Sequence, residues 1–179
     1  FSWDGELYTL VPGAAPSKIN VSITADDYDS DIVKGVRSSG ATNIAVNEDG
    51  DEVAFVLRGD IYVTNVKYGT TKRITNTPGQ ERRVSFSKDG RTLVYDSERD
   101  GKWQLFTAKI KNDGEKQFAY ATDIEEELLY SSDKPSQQPS FSPDGKKVAF
   151  LEDRTTIRVI DVDTKAVNTA LDGKFNYSY

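Results

Sequence analysis

Histidine and cysteine are both absent from the 179 residues. Without histidine, neither a Ser-His-Asp nor a Cys-His catalytic arrangement can be assembled within this chain. Without cysteine there is no disulfide, no thiol chemistry and no zinc finger, and the compartment stays open, since such a chain suits reducing and oxidising surroundings alike. No apolar run of about 18 residues occurs, so no segment reads as a membrane-spanning helix. There is no basic block either. The 23 Lys and Arg are outnumbered by 29 Asp and Glu, which gives a net charge of −6 and makes the chain a poor candidate for duplex nucleic acid, whose affinity comes from neutralised phosphates; no nucleic-acid partner is expected. The sequence opens at Phe1 without a basic start followed by an apolar stretch. It is therefore expected to have lost a targeting peptide or to be cut from something longer. Mean hydropathy is −0.60 and 36% of residues are hydrophobic, yet a compact chain of this length still buries roughly 70% of its unfolded surface.

What is present is repetition. Asn47-Glu48-Asp49-Gly50 leads into Asp51-Glu52-Val53-Ala54-Phe55-Val56. Ser87-Lys88-Asp89-Gly90 leads into Arg91-Thr92-Leu93-Val94-Tyr95, and Ser142-Pro143-Asp144-Gly145 into Lys146-Lys147-Val148-Ala149-Phe150. Short alternating runs flank each copy: Ile44 and Val46, Val84 and Phe86, Ser140 and Phe141 before it, then Asp60–Thr64, Trp103–Thr107 and Thr156–Ile160 after it. Runs rich in Val, Ile, Phe, Tyr and Thr are strands. Asp49-Gly50, Asp89-Gly90 and Asp144-Gly145 are read as structural turns, the Asp accepting backbone N–H groups and the Gly supplying positive φ. A second hairpin follows in each copy, and a fourth strand is expected at Thr71–Thr75, at Gln117–Ala121 and at Ala166–Ala170. Pro12, Pro78, Pro135 and Pro139 are expected between units, where no ladder donor is needed.

Four antiparallel strands repeating every 40 to 45 residues or so are the signature of a β-propeller blade. The expected fold is thus all-β, a partial propeller of about three and a half blades. Residues 1–24 are expected to end one blade, with strands at Trp3–Leu10 and Lys18–Ile23, and 25–40 to be a linker loop. Residues 41–81 form a blade, 82–137 a blade with an insertion at 123–137, and 138–173 a third. Residues 174–179 begin the next. An arc that starts and stops in mid-blade points to a piece of a larger protein. The competing arrangement is a closed four-bladed ring, disfavoured because the last strand lacks an Asp-Gly partner hairpin.

The Ser142–Phe150 stretch resembles the repeat shared by TolB, the tricorn protease and the propellers of prolyl-oligopeptidase-like enzymes. Ser39–Thr42, Arg58–Thr64, Thr75–Arg82, Ser97–Gly101 and Leu151–Thr156 narrow the likeness. With them, nearly the whole chain resembles the N-terminal propeller of bacterial tricorn-like serine peptidases. Glu48 and Lys88 depart from the repeat where Pro143 stands in the third copy. The resemblance implies a non-catalytic propeller that gates or presents peptide substrates and scaffolds a catalytic core with a PDZ-like module. It also implies a periplasmic or secreted location, with a cytoplasmic one as the alternative. The implied partners are peptides, proteins and the remaining domains of a parent chain. The alternative function is a TolB-like interaction propeller without peptidase activity. No catalytic residue maps onto this sequence, and no cofactor or metal is expected.

Four features carry candidate sites. Arg82 and Arg83 lie just ahead of an innermost strand, near where propeller channels are lined. They could hold an acidic peptide or a C-terminal carboxylate, since guanidinium forks match carboxylates; the plainer expectation is surface ion pairs with Glu81 or Asp96. The acidic run Asp26–Asp31 offers oxygen ligands of the kind Ca²⁺ takes but lacks the EF-hand's Gly and distant Glu, and is expected to be a solvated loop. Glu125-Glu126-Glu127 is expected to be an exposed charge run, or else a contact to a neighbouring domain or basic peptide. Phe55, Phe86, Tyr95, Phe106, Phe141 and Phe150 recur at matching positions and are expected to pack between blades; a base-stacking platform would need a basic groove beside it. Half-built blades expose strand edges, so self-association of the chain is also expected.

Overall fold

The computed structural model describes residues 1–3, 5–21 and 35–173. The acidic run Asp26–Asp31 and the strand expected at Lys174–Tyr179 lie outside the described residues. The chain divides into two units, Phe1–Arg37 and Ser38–Tyr179. In the first, β1 (Ser2–Trp3), β2 (Glu6–Thr9) and β3 (Ser17–Ile19) form an antiparallel sheet in that order. A single strand over Trp3–Leu10 is not what forms. Gly5, at φ 76°, turns the chain into a hairpin that pairs Trp3 with Glu6, as an Asp-Gly dipeptide favours.

The second unit holds three four-stranded antiparallel meanders. The first is β4 (Ala41–Val46), β5 (Glu52–Leu57), β6 (Asp60–Asn65) and β7 (Thr71–Arg73). The second is β8 (Gln80–Phe86), β9 (Thr92–Arg99), β10 (Lys102–Ile110) and β11 (Ile124–Tyr130). The third is β12 (Ser136–Phe141), β13 (Lys147–Glu152), β14 (Thr156–Asp161) and β15 (Val167–Asp172). At the three corners Gly50, Gly90 and Gly145 have φ of 72°, 68° and 73°. The Asp89 and Asp144 carboxylates each accept from a Ser hydroxyl two residues back and from the N–H two residues on. In the first corner Asn47 does this work instead, accepting from the N–H groups of Asp51 and Glu52.

The sheets bury their faces against one another. Because strand side chains alternate, Leu93 and Tyr95 of β9 join Ala54, Val56, Ile61 and Val63 of the first blade in one cluster. Val94, between them, joins Leu105, Leu129 and the third blade's Val148, Phe150 and Ile160 in another. The middle blade is thus buried on both sides. At about 25 cal/mol per Å² of apolar surface removed from water, this burial dominates the stability of the stack. Of the recurrent aromatics, Phe86, Tyr95 and Phe106 lie in the first cluster and Phe150 in the second, with Phe141 packed against it. Phe55 is partly buried on the first blade's other face, stacked on Tyr62 at 5.8 Å between centroids.

The middle blade corrects two expectations. Its fourth strand is Ile124–Tyr130, not Gln117–Ala121, and its extra length is residues 111–123, not 123–137. Phe118–Tyr120 form one 3₁₀ turn because their amides find a different partner. Phe118 and Ala119 donate to Glu52 on β5 at 3.0 and 2.8 Å. Gln117 donates to Asp51, and Lys72 to the Ala121 carbonyl. Phe118 itself is fully buried, edge-on to Phe86 at 6.1 Å. The segment straps the first blade to the second. Pro139 is likewise not between units but inside β12, at a β-bulge where a missing N–H is tolerated.

Candidate functional site: the inner-strand cleft

The innermost strands β4, β8 and β12 all carry a β-bulge at the same repeat position, between Thr42 and Ala45, Arg82 and Ser85, and Gln137 and Ser140. At each bulge one non-glycine residue takes positive φ: Asn43 (51°), Arg83 (51°) and Gln138 (58°). Such residues are uncommon, and of these three only Asn is favoured there. Three blades contribute the same strained position, and the three residues meet. Together with Ile44, Val84, Ser85, Pro139 and Ser140 they line an open cleft of about 330 Å³.

Arg82 and Arg83 are both exposed. The expected ion pairs with Glu81 and Asp96 do not form. Glu81 is fully buried on the opposite face of β8, accepting from Thr75, Thr77 and Ser97, with Arg99 at 3.8 Å. Neither Arg82 nor Arg83 forms an ion pair among the described residues. Arg82 donates to Gln80 Oε1 at 2.6 Å and stacks over Trp103 at 4.5 Å. Its charge is therefore held against an aromatic face, with no carboxylate within ion-pair distance among the described residues.

Behind the cleft lies Asp96, cross-strand from Arg82 and 1% exposed. The Gln138 backbone N–H lies near it, and its Oδ1 has no partner among the described residues. Burial pushes its carboxyl up to about 6, against the pull of Arg83 and Arg82.

Buried carboxylates also pin the blade junctions. Glu81 takes hydroxyls from Thr75 and Thr77 of the preceding crossover. Glu152 takes them from Tyr130 and Ser132, and the Arg158 Nε–H at 2.7 Å. Glu81 and Ser97 are cross-strand partners, as are Ser136 and Glu152. The acid and the serine have exchanged strands between the two blades. Burial raises the Glu81 carboxyl in spite of its hydroxyl donors. For Glu152 burial is outweighed by its donors, and the group sits below the usual carboxylate range.

The Asp-Gly corners lie elsewhere. A cleft of about 750 Å³ runs between the first two corners and the 111–123 segment, lined in part by Asp49, Asp51, Asp89 and Glu115. Its carboxylates serve local bonds: Asp51 to Asn47 and Gln117, Asp89 to Ser87 and Arg91, Glu115 to Thr122. Among the described residues no cluster of His, Cys, Asp and Glu is placed to hold a metal ion. The triple Glu lies on β11, not in an insertion. Glu126 forms a bidentate pair with Arg99 at 2.6 and 2.8 Å and accepts from Tyr95. Glu127 reaches Lys165 of the third blade at 3.4 Å.

Similar solved folds agree with this geometry. A putative TolB from Agrobacterium tumefaciens superposes with a TM-score of 0.61 at 22% identity, over 76% of this chain and 51% of its own. TolB from Acinetobacter baumannii gives 0.57 at 22% identity, over 74% and 34%. The tricorn protease gives 0.53 at 19%, over 78% and 13%. The fold is a partial β-propeller. No family model and no curated protein matches the sequence. The chain spans about half the length of the first of these structures and less of the others. Asn43, Gln138 and Trp103 are not readable as site residues from sequence, and Asp96 reads there only as a surface partner for Arg82 or Arg83. The bulge recurs in structure without a shared residue type, and only the repeat alignment of the inner strands could have pointed to it.

Proposed function

We propose that this chain is the non-catalytic propeller segment of a tricorn-like serine peptidase, which gates or presents peptide substrates and scaffolds the catalytic core. The inner-strand cleft receives the carboxylate end of a peptide. One observation carries this: Arg83, exposed and without an ion pair among the described residues, lines the cleft where three blades place their bulged residues, and beside it in sequence the exposed Arg82, stacked on Trp103, also has none. A guanidinium matches a carboxylate bidentately, and one already stacked on an indole loses little freedom on binding. The fold likeness to the tricorn protease supports the reading. A periplasmic or secreted location belongs to the same proposal, and no helix among the described residues is long and apolar enough to cross a membrane.

The test uses Trp103 as reporter in the Trp3→Phe variant, since the chain has two tryptophans. N-acetyl-trialanine with a free C-terminus should change Trp103 emission saturably, and its C-terminal amide should not. Equal responses to acid and amide would overturn the carboxylate reading. Labelled peptides incubated with the chain should show no turnover.

A second reading is favoured by the higher superposition on TolB. It takes the segment as part of an interaction propeller without peptidase activity, binding protein partners through the same cleft. The surrounding reading frame separates the two: a PDZ-like segment and peptidase core support the first, and their absence the second.

A further inference from the structure

Asp96 does not line the cleft but neighbours two residues that do, Arg83 and Gln138. From β8 it faces Arg82, its cross-strand neighbour, and Arg83 at the bulge. From β12 the backbone N–H of Gln138, the bulge residue of the next blade, lies near it; that strand, Ser136–Phe141, carries no ionisable side chain. From β10 its neighbour is the apolar Leu105. The remaining charged groups on these strands are engaged elsewhere or lie toward strand ends: Glu81 and Arg99 on the other face, Glu98 beside Gln80, Lys102 paired with Asp133, and Lys109 at the far end of β10. Asp96 Oδ1 and the nearby strand's Ser136 Oγ are both buried without a partner. An orphaned buried carboxylate oxygen is costly, and a proton on the carboxyl removes the buried charge.

We infer that Asp96 is an internal competitor for the ligand's carboxylate: ionised, it occupies the field of Arg82 and Arg83, and protonated, it leaves them to the incoming anion. The inference rests on the carboxylate-binding reading above and adds its regulation: affinity rises as pH falls. The group's position near 6 puts the change within an ordinary working range. Linkage is reciprocal, so binding of a carboxylate must also raise the protonation of Asp96, and the protein takes up protons on binding near pH 6.

The experiment is the Trp103 titration with N-acetyl-trialanine at pH 7.5 and pH 5.0, where a C-terminal carboxyl with a pKa of roughly 3.5 stays ionised. For the Trp3→Phe parent the dissociation constant should fall about fivefold at pH 5.0, the low end of ordinary coupling. Asp96→Asn, neutral at both values, should bind with the tighter constant throughout. Proton uptake, measured on the parent by calorimetry in buffers of different ionisation enthalpy, does not depend on the variant folding. Binding that is independent of pH, or a pH dependence that survives in Asp96→Asn, or no proton uptake, overturns this inference and leaves the carboxylate reading standing. Absence of binding at both pH values overturns both.

Discussion

Phe118→Ala should unfasten the first blade from the second. The side chain is fully buried among Val84, Phe86 and Ile110 in the cluster shared by the two blades. It lies on the one segment of the middle blade that is neither strand nor tight turn. Truncating a buried Phe costs about 3–5 kcal/mol, because transfer and cavity terms add, and edge-on contact with Phe86 is worth roughly 0.5–1.5 kcal/mol of that. Against a typical domain stability of about 5–15 kcal/mol, such a loss moves the urea midpoint far enough to measure with certainty. Tyr120, two residues on and 46% exposed, is the control: Tyr120→Ala should cost below about 0.5 kcal/mol, as surface substitutions do. Equilibrium urea unfolding followed by circular dichroism gives both numbers. A loss under about 1 kcal/mol for Phe118→Ala would refute the packing of 111–123 into the first junction.

Three further outcomes follow from the same coordinates. Gly79→Ala should destabilise by about 1–3 kcal/mol, because a Cβ there would run into the Glu98 backbone carbonyl; thermal unfolding matching the parent's would contradict it. Asp96, with its carboxyl raised to about 6 from 3.8, lowers stability as pH rises through that window, since the folded state holds the proton more tightly. At about 1.4 kcal/mol per unit, the advantage of Asp96→Asn over the parent should shrink by roughly 2–3 kcal/mol between pH 7.5 and pH 4; a constant gap by urea titration would sink the assignment. Glu152 works in the opposite sense. Its folded carboxyl lies below 4.5, so its contribution is present above that value and is lost on acidification. Glu152→Gln should flatten the acid limb of a melting-temperature profile below about pH 4.5, and an unchanged limb would count against the Tyr130–Ser132–Arg158 pin.

Sequence and structure agree where local chemistry decides. The Asp-Gly corners and the strands flanking them were legible because turn residues and period-two runs coincide there. Residues 111–130 were not. Phe118-Ala119-Tyr120 alternates like a strand, but its amides are taken by Glu52, 66 residues away, and no local pattern encodes that. Ile124–Tyr130 reads as a charged insertion, yet an outer strand accepts three glutamates when one meets Arg99 across the sheet and another meets Lys165 of the next blade. The hairpin at Gly5 is encoded by its Asp-Gly pair, which interrupts a stretch, Trp3–Leu10, that otherwise reads as one strand. The candidate site was half legible. Arg82 and Arg83 stand out as a pair before an inner strand, but the cleft exists only because Asn43, Arg83 and Gln138 share a bulge. Asp96 looks in sequence like any surface acid.

A crystal structure of the full chain tests the three-blade arc most directly. It should show Asp49-Gly50, Asp89-Gly90 and Asp144-Gly145 repeated by one rotation, β8–β11 covered on both faces, and Asn43, Arg83 and Gln138 at one cleft. Strand β12 hydrogen-bonded to β11 in a continuous sheet, with the three bulges apart, would contradict it.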